Sequence, residues 1–252
     1  MTLPALPFDL TLWGATWMGL TVLVAGFVRG YSGFGYSALV ISASSLVTNP
    51  LHFVAVVVIL ETAMSGQAWK GAGPDVDWRR VGFLLAGAAV GMPAGLWALT
   101  RMPEDQARAA IAIYVLVMCA VLLAGWRMRA EARGAGANLG AGVVSGLANA
   151  PGMGGLPVAA FFAAQPMPAA VFRATLIAFF PLLDLMSAPL YWLAGLVSWD
   201  TLRASLWLLP LSFVGNWLGS RHFFGTDPQE FRRFAILLLA VLAALGLGRA
   251  LW

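Results

Sequence analysis

The chain has 252 residues, of which 60% are hydrophobic and 10% are charged, with a formal net charge of +4. Soluble domains carry roughly 25% charged residues, so this chain must use lipid as part of its solvent. Its basic residues lie scattered at the ends of apolar runs, as in membrane proteins, which argues against a nucleic-acid-binding surface.

Apolar runs follow one another along the chain. The first five cover about residues 10–28, 33–48, 51–69, 80–100 and 106–126. After a polar stretch they resume at about 139–149, 153–164, 169–193, 201–220 and 230–251. Since about 20 apolar residues cross a bilayer as a helix, we predict an all-α, polytopic membrane protein. The pairs 10–48 and 139–164 contain short runs, which leaves open whether they are re-entrant hairpins or full spans. Residues 1–9 have no Lys or Arg, so we expect the first run to belong to the mature protein.

The two halves of the chain show matched features in the same order. Each of these residues has a counterpart about 120 to 125 positions later: Gly26 and Gly146, Gly35 and Gly155, Glu61 and Asp184, Gly91 and Gly215, Arg108 and Arg233. Such a series indicates an internal duplication. We therefore predict an N-terminal repeat over 1–126, a connector over 127–138 and a C-terminal repeat over 139–252. Each repeat would contain one broken or re-entrant helix pair and three transmembrane helices.

Basic residues orient the repeats. They cluster after the third run, in the connector and before the last run, at Lys70, Arg79, Arg80, Arg127, Arg129, Arg133, Arg221, Arg232 and Arg233. The positive-inside rule places these three loops in the cytoplasm. The first broken pair would then enter from outside and the second from the cytoplasm, so the repeats are expected to have inverted topology.

Two glycine-rich stretches, 26–36 and 146–157, interrupt apolar runs at a depth where a membrane helix should continue. Non-helical backbone survives there only when it is buried in protein or lines a wet cavity. A helix that resumes after such an interruption presents free N–H groups, which suit an anion. We therefore predict a small-anion site formed by these residues: Ser32, Gly33, Phe34, Gly35, Tyr36, Asn149, Gly152, Gly154 and Gly155. A glycine-rich packing contact is the alternative for either stretch alone.

Charged residues near the interruptions are candidates for chemistry. Arg29 precedes the first one and could hold a sulfonate, sulfite or carboxylate group, or could lie at the membrane surface. Arg173 is either a second anion contact or an ordinary cytoplasmic-side charge. Glu61 and Asp184 are matched carboxylates within their runs, which indicates proton or cation coupling, or else neutralisation of Arg29.

The two interruptions, RGYSGFG at 29–35 and NAPGMGG at 149–155, resemble those of the TauE/SafE family, and the duplicated layout extends the resemblance along nearly the whole chain. The resemblance implies a transporter of the bacterial inner membrane that exports small anions such as sulfite, sulfonates or sulfoacetate. The physical features of the sequence indicate only an anion. Binding partners are then the anion and the lipid bilayer; we expect no cofactor, metal or nucleic acid, and a homo-oligomer stays open.

Two other functions compete with transport. The motif Gly-Tyr-Ser-Gly at 30–33 matches the G-x-S-G of intramembrane serine proteases, with Ser32 as nucleophile. That chemistry needs a base near the serine, and the histidines, His52 and His222, are expected at an interface and in a loop. A membrane scaffold without transport explains the apolar runs but not an arginine beside a matched pair of interruptions.

Overall fold

The computed structural model describes residues 6–68, 73–222, 236–237 and 240–248, and omits the side chains of Ser32, Gln67, Ala68, Ala169 and His222. Throughout this described part the regular secondary structure is helical. The predicted all-α fold is therefore confirmed.

Nine α-helices lie in chain order within the described residues up to His222. The first half contains α1 (Leu12–Ser32), α2 (Tyr36–Ser44), α3 (Leu51–Ala68), α4 (Trp78–Arg101) and α5 (Glu104–Ala124). The second half contains α6 (Ala135–Ala148), α7 (Gly155–Ala163), α8 (Ala169–Leu193) and α9 (Trp199–His222). Short 3₁₀ turns occupy Pro7–Asp9 and Gly73–Asp75, and residues 240–248 are helical.

Four of the described helices are long and apolar enough to cross a bilayer. They cover Leu12–Tyr31, Trp78–Arg101, Glu104–Ala124 and Ala170–Leu193. Length and apolar composition of this kind define a protein that passes through the membrane several times.

Some observed boundaries differ from the predicted runs. The first run does not end at residue 28, because α1 continues through Arg29 and Gly30 to Ser32. Helix α6 begins at Ala135, so the end of the predicted connector 127–138 is helical. The last run, 230–251, lies largely outside the described residues.

Glycines allow two helix pairs to approach each other closely. On α4, a Cβ added at Gly87 or Gly91 would collide with carbonyl oxygens of α6, and one at Gly215 or Gly219 of α9 would collide with carbonyl oxygens of α1. Small residues one turn apart permit such contact between membrane helices. The first helix of each half thus packs against the fourth helix of the other. This correspondence agrees with a duplication, and the inversion of the repeats stays a prediction.

Helix α3 packs between α2 and α8. All nine residues of α2 are buried, and α3 packs against α2, α8 and α9. Glu61 lies in the interior of α3 and Asp184 in the interior of α8. Contact between α3, in the first half of the chain, and α8, in the second half, therefore places the two helices that carry these carboxylates next to each other.

Candidate functional site

The first break covers residues 33–35, between α1 and α2. Gly33 and Gly35 have φ angles of +82° and +92°, which glycine adopts without the strain that a Cβ would cause. The Gly33 N–H donates to the Arg29 carbonyl oxygen and closes α1. No side chain caps the start of α2, and the N–H of Ser37 instead donates to the Glu61 carboxylate.

The second break covers residues 149–154, between α6 and α7. Gly152 has a φ angle of +76°. The Asn149 side-chain oxygen accepts from the Gly154 N–H at 3.1 Å, and the Ser145 hydroxyl donates to the Gly154 carbonyl at 2.7 Å. The Tyr191 hydroxyl of α8 donates to the Asn149 carbonyl. Buried polar side chains thus satisfy backbone groups that the interrupted helix leaves unpaired.

Both breaks border one small cavity at the centre of the molecule. Its lining comes from the first break and α2, from the second break and α7, and from the middles of α3 and α8: Phe34, Gly35, Ser37, Asn149, Gly152, Gly155, Leu156, Glu61, Phe180, Leu183 and Asp184. The space that the centre of a water-sized sphere can reach is about 10 Å³, which is room for about one water molecule. A sulfur oxyanion therefore fits only if the breaks or the helices around them move apart.

Arg29 lies beside this cavity in a buried ion pair. Its Nη1 is 2.5 Å from Oε1 of Glu61, and its Nη2 donates to the Ser65 hydroxyl at 2.7 Å. Only 9% of Arg29 is exposed. Arg29 is therefore a buried residue rather than a surface arginine, and Glu61 neutralises it.

Asp184 has different surroundings from its repeat mate Glu61. It is 4% exposed, and its Oδ2 atom has no hydrogen-bond partner within the described residues. Asn149 follows Arg29 by 120 positions, the same spacing as between the matched glycines 35 and 155, and it brings an amide in place of a cation. The cavity region thus combines two carboxylates with a single guanidinium.

The remaining predicted site residues lie at different distances from the cavity. Tyr36 is buried and its hydroxyl shares a 2.8 Å hydrogen bond with the Ser212 hydroxyl. Gly33 and Gly154 belong to the breaks but do not line the cavity. Arg173 is exposed near the start of α8, eleven residues and about 16 Å of helix from Asp184. The Ser32 side chain lies outside the described atoms, so the structure gives no geometry for the serine nucleophile of the protease alternative.

Several residues that support the site were not predicted. Ser65 follows Glu61 by one helical turn and binds the same arginine. On α8, Ser187 and Tyr191 lie on the same face as Asp184 and are buried. The spacing i to i+4 places the polar residues of α3 on one face of that helix, and the spacing i, i+3, i+7 does the same on α8. This periodicity in the sequence could have been used to predict them.

These features define a class of protein: a helical, multi-pass membrane protein with two broken helices that meet at a buried, charged cavity. The profile of the family described as "Sulfite exporter TauE/SafE" matches residues 18–246. The chain belongs to this family, and the resemblance noted in its sequence is confirmed. No curated protein and no solved structure matches the chain. The family is one of anion transporters, so a small anion and the lipid bilayer are the partners that membership implies.

Proposed function

We propose that this protein is a secondary transporter of the bacterial inner membrane that exports sulfite, a sulfonate or sulfoacetate by alternating access. The observation that carries the proposal is the meeting of both breaks at one cavity beside the buried Arg29. Membership of the TauE/SafE family supports the sulfur chemistry of the substrate.

Arg29 is proposed as the main anion contact. Its guanidinium fork already holds the Glu61 carboxylate and the Ser65 hydroxyl, and a sulfonate or sulfite group offers oxygens that can replace both. Protonation of one of the two carboxyl groups, Glu61 or Asp184, would lower the negative charge of the site and allow the anion to enter. The Gly155 N–H at the start of α7, and the Ser37 N–H of α2 once the anion displaces Glu61, would bind the remaining oxygens, since both helix starts border the cavity.

The small size of the cavity supports an occluded arrangement. Because the cavity holds about one water molecule, the anion must enter by movement of the broken segments or of one half against the other. Such rocking around a central site is the usual transport cycle of proteins with repeated halves. Arg173, which is exposed, is proposed only as a contact along the approach to the site.

The test is anion efflux from proteoliposomes loaded with sulfite or sulfoacetate. The wild-type protein should release at least one of these anions, and Arg29→Ala should slow release at least tenfold. Arg101→Ala is the matched control, because Arg101 is exposed and contacts the Trp97 ring. Equal efflux by the wild type and Arg29→Ala would remove the anion role of Arg29. Failure of the wild type to move either anion would overturn the substrate class.

A thermal-shift panel on the purified protein identifies the substrate independently of transport. Sulfite, sulfoacetate, taurine, thiosulfate, acetate and phosphate cover the relevant charges and shapes. A ligand that binds only the folded state raises the melting temperature. A shift by sulfite or sulfoacetate that is absent with acetate and phosphate would agree with the proposal, and the reverse order would contradict it.

A further inference from the structure

The duplication has produced two carboxylates with unequal partners. Glu61 receives the Arg29 guanidinium at 2.5 Å and the Ser37 N–H, and both contacts stabilise its negative charge. Asp184, at the matched place in α8, has no cation in contact and retains an oxygen without a partner within the described residues. The protein therefore compensates a negative charge on Glu61 better than one on Asp184.

The groups that face Asp184 come from several elements. Glu61 on α3 is like-charged, Arg29 on α1 is already paired with Glu61, and Thr62 on α3 lies within hydrogen-bonding reach. Tyr191 lies two turns along α8 itself and donates to the Asn149 carbonyl. Helices α4 and α7 also pack against α8, but among the described residues they add no charged side chain to the cavity lining. The Gly73–Asp75 turn touches α8 with Asp75 exposed.

The balance of charge decides which carboxyl group is neutral. With both groups ionised, the buried region would carry two negative charges against one positive charge. An uncompensated carboxylate that is removed from water is neutralised by taking up a proton. Loss of the Glu61 charge would instead leave Arg29 uncompensated, which is also costly. One proton placed on Asp184 makes the whole region neutral.

We propose that Asp184 is the proton-binding residue of the site: it is a carboxylic acid in this closed arrangement, while Glu61 is the ionised partner of Arg29. Resting on the proposed transport function, the inference extends to coupling. Asp184 takes a proton from water on the side to which the site is open, forming one O–H bond, and returns it to water on the other side. The proton travels with the anion, because each makes the presence of the other in the buried site less costly.

Infrared spectroscopy of the purified protein tests the assignment without transport. A protonated carboxyl group has its own C=O stretching band, which carboxylates lack. At neutral pH the wild type should show such a band, sensitive to exchange into D₂O. The band should vanish in Asp184→Asn and persist in Asp75→Asn, a control at an exposed position. Absence of the band in the wild type, or its persistence in Asp184→Asn, would overturn the proposal.

Proteoliposomes with a pH-sensitive dye in the lumen test the coupling. Sulfoacetate stays fully ionised near neutral pH, so its efflux should raise the lumenal pH only if the protein moves a proton with it. Asp184→Asn, which resembles the protonated side chain, should lose the pH rise by a larger factor than it loses the exchange of internal for external sulfoacetate. A pH rise equal to that of the wild type would overturn the coupling role. Loss of exchange and of the pH rise in the same proportion would also overturn it.

The two proposals fail in different ways. A wild type that shows the Asp184 band but moves no anion would contradict the transport function and leave the protonation of Asp184 standing. A wild type that exports sulfoacetate without the band would contradict the role of Asp184 and leave the transport function standing.

Discussion

Arg29 and Glu61 form a buried ion pair that joins the last turn of α1 to the middle of α3, with 2.5 Å between Nη1 and Oε1. The pair fixes the position of α1 immediately before the first break. Both residues come from the first half, and the second half supplies Asn149 and Asp184 at the matched places. The charged side of the cavity is therefore asymmetric, although the helices around it are arranged in matched pairs.

Removal of one member of this pair should destabilise the protein. Glu61→Ala leaves a buried guanidinium without its counter-charge, which typically costs about 3–5 kcal/mol. The double variant Arg29→Met with Glu61→Met should recover much of that loss, because it removes both charges and keeps apolar volume. Unfolding in detergent measures the effect, with Asp75→Ala as an exposed control. Equal stability of Glu61→Ala and the wild type would show that the pair does not hold α1 to α3.

Close packing of α4 against α6 gives a second prediction. At Gly91 a Cβ would collide with the Val143 carbonyl, whereas at Gly82 of the same helix no atom lies within 4 Å of an added Cβ. Gly91→Ala should therefore lower the free energy of unfolding by about 1–3 kcal/mol. Gly82→Ala should be neutral or stabilising by up to about 1 kcal/mol, because alanine favours helix more than glycine does. Equal effects of the two substitutions would contradict the α4–α6 contact.

Backbone conformation at the second break gives a third prediction. Gly152 and Gly125 both have positive φ, +76° and +61°, so alanine should strain either position by about 1–3 kcal/mol. Only Gly152 lines the cavity. Gly152→Ala should therefore reduce sulfite efflux beyond what its stability loss explains, while Gly125→Ala should lose stability alone. Melting temperatures and proteoliposome efflux, measured on the same preparations, separate the two effects.

The sequence predicted the features that depend on local chemistry. Membrane helices follow from runs of apolar residues, and interruptions follow from glycines that allow positive φ at Gly33, Gly35 and Gly152. These signals lie within short stretches of chain, so one sequence is enough to detect them.

The arrangement of the charged residues was only partly predictable. The sequence is compatible with both roles of Glu61, coupling and neutralisation of Arg29. Which role applies depends on the face that α3 turns toward α1, and a single sequence does not determine that orientation. The start of the first break was predicted too early in the chain, because Gly30 resembles a helix breaker, whereas α1 continues to Ser32. In the structure Gly30 is a packing position, where a Cβ would collide with the Asn216 carbonyl of α9. Tertiary contact here overrides the low helix propensity of glycine.

A polar cluster joins the start of α4, the connector and the end of α7, in loops for which we predict a cytoplasmic location. Arg80, at the start of α4, is 2% exposed. Its guanidinium donates to Glu131 of the connector at 3.1 Å and to Gln165, which follows α7, at 3.2 Å. Arg133 donates to the same Glu131 carboxylate and, together with Arg80, holds the pKa of that group below its usual range. The cluster therefore ties α4, the connector and the end of α7 together at neutral pH.

Arg80→Ala should loosen this cluster. Gln165 also accepts from the Ala132 N–H and Glu131 keeps Arg133, so the loss should be modest, about 1–3 kcal/mol. Arg79→Ala is the matched control. Arg79 is adjacent to Arg80 in the chain, but it is exposed and lies over the Phe83 ring. Since the pKa of Glu131 is lowered in the folded protein, its contribution is present above the unfolded pKa and is lost as pH falls through the folded pKa. Melting temperatures of wild type and Arg80→Ala should thus differ at neutral pH and converge in acid; a constant difference would exclude Glu131 as the partner that matters.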